Sequence, residues 1–213
     1  FPTLGGNQFV DSPVLGKWSS WLAQALKPAI QTRYATNDKF GLIGKSSGGY
    51  GALVNAMLQP NEWSAIACHS GDVGFETMFL PTFAETLTHV HKFGGVAQYV
   101  QHVRDAATLS GPDFHSLMIC AMAAIEEDAW SRWMGFDPLT LIESNHSELA
   151  KLECLLIDCG SRDQYHIQYG SRRFVERLKA LGVNHTWEEF DGTHSGIDFR
   201  LDTSFSQLSK VLS

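Results

Sequence analysis

The stretch Phe40–Leu53 reads FGLIGKSSGGYGAL and constrains this chain more than any other. Phe40–Ile43 is an apolar run without polar alternation, the pattern of a strand buried on both faces. Ala52, Leu53, Ala56 and Met57 share one helical face, and Pro60 stops that helix. Between the two lies Gly44-Lys45-Ser46-Ser47-Gly48, a G-x-S-x-G match set where a strand turns into a helix. A serine at the tip of such a turn adopts a strained backbone, and flanking glycines let neighbouring backbone come close. Its hydroxyl is then exposed beside the following N–H groups and the helix N-terminus. The frame selects Ser46, because Ser47 would need glycine at position 45, where lysine stands. The N–H of Ser47 becomes a donor for an oxyanion.

Two other readings compete for the same residues. Gly44-Lys45-Ser46 is also the tail of a phosphate-binding G-x-x-x-x-G-K-[ST] loop, but the leading glycine would fall at Lys39. The intervening Phe40–Ile43 has the character of a strand, which cannot wrap phosphate with glycine-rich backbone. The plainer competitor is a glycine-rich turn with no chemistry.

The rest of the chain repeats the alternation of short apolar runs and helical stripes. Trp63–Cys68, Leu155–Asp158 and His185–Phe190 are further strand candidates. Trp18, Trp21, Leu22, Ala25, Leu26 and Ala29 stripe a first helix, which Pro28 kinks or ends early. Phe174, Val175, Leu178 and Leu181 stripe another, ended by Gly182, and Phe199–Leu212 forms a last one. Residues 1–13 read as irregular. This is an α/β protein with a mostly parallel sheet flanked by helices. The 213 residues are expected to form a single domain. Residues from about 72 to 136 differ in character, with stripes at Val96, Tyr99, Val100 and Val103 and at Phe114, Leu117, Met118, Ala121, Met122 and Ile125. They read as a helical insertion over one edge of the sheet.

Charge narrows the functional classes. Lys plus Arg is 16 against 23 Asp plus Glu, a formal charge of −7, and phosphate contacts need a basic face. Nucleic acid is therefore not an expected partner. Arg172, Arg173, Arg177 and Lys179 read as the solvated face of a helix. No apolar run approaches the ~18 residues of a membrane span. Cys68, Cys120, Cys154 and Cys159 form no C-x-x-C pair, which favours a reducing, cytoplasmic setting.

An activated serine needs a histidine base and an acid that fixes the histidine tautomer, here in the chain order Ser, acid, His. Asp158-Cys-Gly-Ser-Arg-Asp163 follows the third strand candidate, and Asp191-Gly-Thr-His194-Ser-Gly follows the fourth. Both segments fall at carboxyl ends of strands, where α/β sheets carry their sites. Asp163 is the better acid, since it lies beyond the strand while Asp158 is still near its end. His194 is the histidine, of nine, that sits in the turn after the last strand.

GLIGKSSGGYGAL, LLIDCGSRDQY, EEFDGTHSGIDFR and DSPVLGKW together resemble the esterases of the α/β-hydrolase superfamily of the enterochelin-esterase and esterase D type. The resemblance implies an α/β-hydrolase fold with a helical cap, and cleavage of a small-molecule carboxylic ester without cofactor or metal. It sets Ser46, Asp163 and His194 on the catalytic positions and Ser47 in the oxyanion hole. A thioesterase or acyltransferase would use the same residues; a non-catalytic protein on this fold is the rival from another class. One departure is that only 45 residues precede Ser46, holding one helix and no evident strand. The N-terminal strands are thus expected to be missing or reduced, and a second copy of the chain could cover the edge left bare.

Secondary candidates carry structural alternatives. His69 and Asp72 follow the second strand candidate and would line the pocket mouth, or serve the fold. Trp130 and Trp133 would wall an acyl or aryl group, or pack the insertion on the sheet. His89-x-His91 has metal-ligand spacing but no third ligand nearby, and reads as surface.

Overall fold

The structure is a computed structural model that describes residues 9–12, 16–99, 101 and 127–213. Two short strands open it, β1 (Asp11–Ser12) and β2 (Gly16–Lys17), paired antiparallel. The sequence marked residues 1–13, which include β1, as irregular, since two-residue strands leave no periodicity to read. Asp11 then accepts a hydrogen bond from the Ser20 N–H at 2.9 Å, inside α1 (Trp18–Trp21). A widened π turn, Leu22–Leu26, joins α1 to α2 (Lys27–Arg33). Pro28 lacks an N–H and would press on the carbonyl one turn back. The π turn absorbs that mismatch, and the helical path neither stops nor breaks at Pro28.

The main sheet has four parallel strands in the order β3 (Gly41–Lys45), β4 (Ala65–His69), β5 (Cys154–Gly160) and β6 (Thr186–Phe190). These are the four apolar runs of the sequence, shifted by a residue or two at their ends. Helices α3 (Ser47–Leu58), α6 (Pro138–Leu149) and α7 (Ile167–Ala180) cover one face, and α8 (Arg200–Leu212) covers the other. The two-residue period of the strands sorts side chains between them. Ile66, Cys68, Leu155 and Ile157 enter the larger core with Leu53, Met57, Ile142, Phe174 and Leu178. Ala65, Ala67 and Leu156 face Leu208 and Leu212 of α8. β3 differs from the sequence reading: it is half-buried along its length, because among the described residues it pairs with β4 alone.

Between β4 and β5 the described residues include α4 (Phe75–Val90), a 3₁₀ turn His91–Phe93 and α5 (Glu127–Met134), followed by α6. Val100, Val103, Phe114, Leu117, Met118, Cys120, Ala121, Met122, Ile125 and the His89 side chain lie outside the described residues. At Asp137–Pro138 the structure has a shared helix cap. Asp137 accepts from the N–H groups of Leu139, Gly74 and Phe75 at 2.8–3.0 Å, holding the starts of α6 and α4 together. Among the described residues no helix is long and apolar enough to cross a membrane.

On the α8 face, one buried ionic network ties helix to sheet. Asp158 of β5 receives His69 Nδ1 at 2.9 Å and Arg200 Nε at 2.8 Å. The Arg200 guanidinium also pairs with Glu188 of β6. Replacing Arg200 with methionine would leave the Asp158 carboxylate, 1% exposed, short of its cation. A loss of about 3 kcal/mol or more is expected, read as a lower urea midpoint with an unchanged slope.

Candidate active site

β3 delivers Ser46 to the carboxyl edge of the sheet, and α3 starts immediately after it. Ser46 sits at φ 56°, ψ −129°, a conformation that L-residues rarely adopt. Two backbone bonds hold it there: its N–H donates to the His69 carbonyl at 2.9 Å, and its carbonyl accepts from the Tyr50 N–H at 2.9 Å. The turn is tight enough to exclude any side chain at Gly44. A Cβ there would lie 2.1 Å from the Gly48 carbonyl carbon and oxygen. The helix N-terminus thus opens beside the Ser46 hydroxyl, with the Ser47 N–H in its first turn.

The loops after β5 and β6 converge on the same place. Gly160 makes this approach possible, since a Cβ on it would meet the Gly192 and Thr193 carbonyl oxygens at 2.6 and 2.7 Å. Arg162 N–H donates to the Gly192 carbonyl at 2.9 Å, and the His194 N–H donates to the Gln164 side-chain oxygen at 3.1 Å. His194 Nδ1 lies 2.8 Å from Asp163 Oδ2, and His194 Nε2 lies 2.9 Å from Ser46 Oγ. A carboxylate at Nδ1 holds the ring proton there, leaving Nε2 to accept from the serine hydroxyl. The other Asp163 oxygen accepts from the Tyr165 N–H at 2.9 Å. The Tyr165 ring meets the imidazole edge-on, with centroids 4.9 Å apart, and Asp163 and His194 are 2% and 7% exposed. Cys159 stands behind Asp163, and burial pushes its thiol up to about 12, with the Asp163 charge adding to the effect.

Ser46, Asp163 and His194 are therefore brought together, and Ser47 lies beside them. His69 is placed elsewhere. Its side chain points to the α8 face, with Nδ1 on Asp158 and Nε2 3.0 Å from Ser204 Oγ, so it does not line the pocket mouth. Trp130 and Trp133 pack on the Phe79–Phe83 stripe of α4, with ring centroids 5.1 Å (Phe83–Trp130) and 5.4 Å (Phe79–Trp133) apart. Asp72 stays near the site: its Oδ2 accepts from the Ser47 hydroxyl at 3.2 Å. Burial pushes the Asp72 carboxyl up to about 6, against the lowering effects of Ser47 and His194. Gln164 and Tyr165 went unremarked in the sequence. Adjacency to Asp163 was the only signal for them. Among the described residues no group of three or more His, Cys, Asp or Glu side chains could hold a metal ion.

A family model described as "Putative esterase" matches residues 11–204. No curated protein matched the sequence. Among solved structures, a ferulic acid esterase superposes with a TM-score of 0.63 at 14% identity, covering 99% of this chain and 66% of that one. An S-formylglutathione hydrolase from Agrobacterium tumefaciens gives a TM-score of 0.62 at 15% identity, over 97% of this chain and 63% of that one. A fluorophosphonate-binding serine hydrolase of Staphylococcus aureus gives 0.61 at 14% identity, over 94% and 66%. The chain thus spans about two thirds of the length of these structures. At such identities the likeness is one of fold, the α/β-hydrolase fold.

The two glycines that frame Ser46 are expected to respond oppositely to alanine. Gly44→Ala forces a methyl into backbone and should lower Tm by about 5–10 °C. A Cβ on Gly48 meets nothing within 4 Å, so Gly48→Ala should leave Tm level or slightly raised, as alanine favours helix. Thermal melts of both variants check this, and equal losses would contradict the geometry.

Proposed function

Because the chain belongs to the esterase family, we propose that it is a serine hydrolase that cleaves a small-molecule carboxylic ester through an acyl-enzyme on Ser46. One observation carries the reading: the continuous Ser46–His194–Asp163 hydrogen-bond chain, at 2.9 and 2.8 Å, set at a strained helix N-terminus. In this reading His194 Nε2 takes the hydroxyl proton as Ser46 Oγ bonds to the carbonyl carbon. The electron pair of the carbonyl moves onto its oxygen, which the Ser47 N–H receives. Collapse of that intermediate breaks the bond to the alcohol, and His194 returns the proton to the departing oxygen. Water then repeats the sequence on the acyl-enzyme and restores Ser46. Asp163 keeps the imidazole proton on Nδ1 and stabilises the charged ring; its burial strengthens that interaction. No resident cofactor enters these steps.

Intact mass after incubation with a small fluorophosphonate, followed by peptide mapping, tests the reading. One adduct on Ser46 is expected, absent from Ser46→Ala. Asp163→Asn should preserve the fold while slowing labelling by about 10⁴-fold, because the wrong ring tautomer then faces the serine. An unlabelled wild-type chain would refute the proposal, as would an adduct confined to another serine.

A further inference from the structure

We propose that Asp72 is a positioning residue of this site: its carboxylate holds Ser47, and with it the N–H offered to the oxyanion, and sets a second negative charge before His194. This rests on the esterase reading above. Asp72 lies just beyond the carboxyl end of β4, next to the strand that delivers Ser46.

Its satisfaction sets it apart from the other buried aspartates. Asp72, Asp137, Asp158 and Asp163 are all 3% exposed or less. Asp137 accepts three backbone N–H groups through its two oxygens. Both oxygens of Asp158 engage His69, and one also takes Arg200. Both oxygens of Asp163 are engaged, by Tyr165 and His194. Asp72 has the Ser47 hydroxyl on Oδ2, while Oδ1 is buried without a partner among the described residues. A carboxylate kept only for the fold would not stay half-satisfied, since such a group opposes folding. Departures of this kind collect where chemistry requires them.

The neighbours of Asp72 indicate what it acts on. Beside its hydrogen bond to Ser47, the charge of Asp72 is felt electrostatically at Tyr50 of α3, Cys68 of β4, and Asp163 and His194 of the two loops. Among these groups only His194 can become a cation, and it does so as it takes the serine proton. The second carboxylate therefore favours the charged intermediate state over the resting one, which is the condition for accelerating a step. Its hydrogen bond to Ser47 fixes the first turn of α3 at the same time.

Asp72→Asn keeps the shape and removes the charge; Ser47→Ala keeps the N–H and removes the hydroxyl. Asp72→Asn is expected to slow fluorophosphonate labelling of Ser46 by about ten-fold. Ser47→Ala should slow it less, and the double variant should be no slower than Asp72→Asn, since both act along one contact. Stability should move the other way. With its carboxyl raised to about 6 from an ordinary 3.8, ionised Asp72 opposes folding above that pH. Asp72→Asn should therefore raise Tm at pH 7.5 while it slows labelling. Wild-type labelling rates in Asp72→Asn, or slowing that tracks a fallen Tm, would overturn the proposal. Carboxyl-carbon NMR of Asp72 separates this from the parent reading. If the wild-type chain fails to label, the esterase reading fails and the titration decides alone. A midpoint near 6 that climbs in Ser47→Ala upholds the link to Ser47; an unmoved midpoint at about 4 overturns it.

Discussion

The rest of the site depends on backbone touching backbone where β3 meets α3. Gly44 brings the strand so close to Gly48 that no side chain fits between them. The chain reverses there with Ser46 at positive φ. Strain of this kind persists because both sides over-determine it. The Ser46 N–H continues the β3–β4 ladder onto the His69 carbonyl, and its carbonyl begins the helix at Tyr50. The same device recurs two strands away. Gly160 lets the loops after β5 and β6 lie against each other, and that contact brings Asp163 and His194 into register with the turn. A parallel sheet supplies the alignment, since all four strands end on one side.

The sheet also separates two constellations of the same residue types. Ser204, His69 and Asp158 are linked by 2.9–3.0 Å contacts in the same order as Ser46, His194 and Asp163. Their surroundings give them different work. Ser204, His69 and Asp158 are each 1% exposed or less, with Arg200 on the carboxylate and α8 over the whole set. No ester could reach Ser204, and the Ser204 hydroxyl lies 3.1 Å from the Leu201 carbonyl of its own helix. In the loops, by contrast, the serine occupies a strained turn at a helix N-terminus. Residue identity and hydrogen-bond distance do not distinguish the two sets. Backbone conformation and access do.

Much of this was legible in the amino-acid order. The four strands were legible as short runs set between helical stripes, and the apolar runs Trp63–Cys68 and Leu155–Asp158 became the central strands β4 and β5. Ser46, Asp163 and His194 stood out because each follows such a run. Asp163 was preferred to Asp158 on position alone, and the two-residue period explains the outcome: Asp158 is still within β5 and points at α8. His69 was harder, because the last residue of β4 was not fixed by the sequence; within β4 the two-residue period puts it with Ala65 and Ala67 on the α8 face. Its partners there, Asp158 and Ser204, lie 89 and 135 residues further on. The π turn before Pro28 and the two-residue strands β1 and β2 are likewise local adjustments to packing, with no pattern of their own. Trp130 and Trp133 had the composition of a pocket wall and of a core alike, and their ring contacts with Phe79 and Phe83 have no signature in the amino-acid order.

The distribution of unsatisfied charge follows from this division of labour. The α8 face joins two carboxylates, a guanidinium and an imidazole into pairs, and its buried oxygens are all used. Such a network resists separation of helix from sheet, because removing one member strands another in low dielectric. The elbow face gathers two carboxylates, Asp72 and Asp163, around a single imidazole. The Asp72 carboxyl is held near 6 by burial, with repulsion from the Asp163 charge added. Folding alone would neutralise or remove one of them. In the proposed mechanism the imidazole gains a proton during each turnover, and that would give both a reason to remain, since their charge is best compensated in the charged intermediate state. The paired charges thus lie under α8 and the half-satisfied carboxylate at the carboxyl edge of the sheet, with β4 and β5 leading to both.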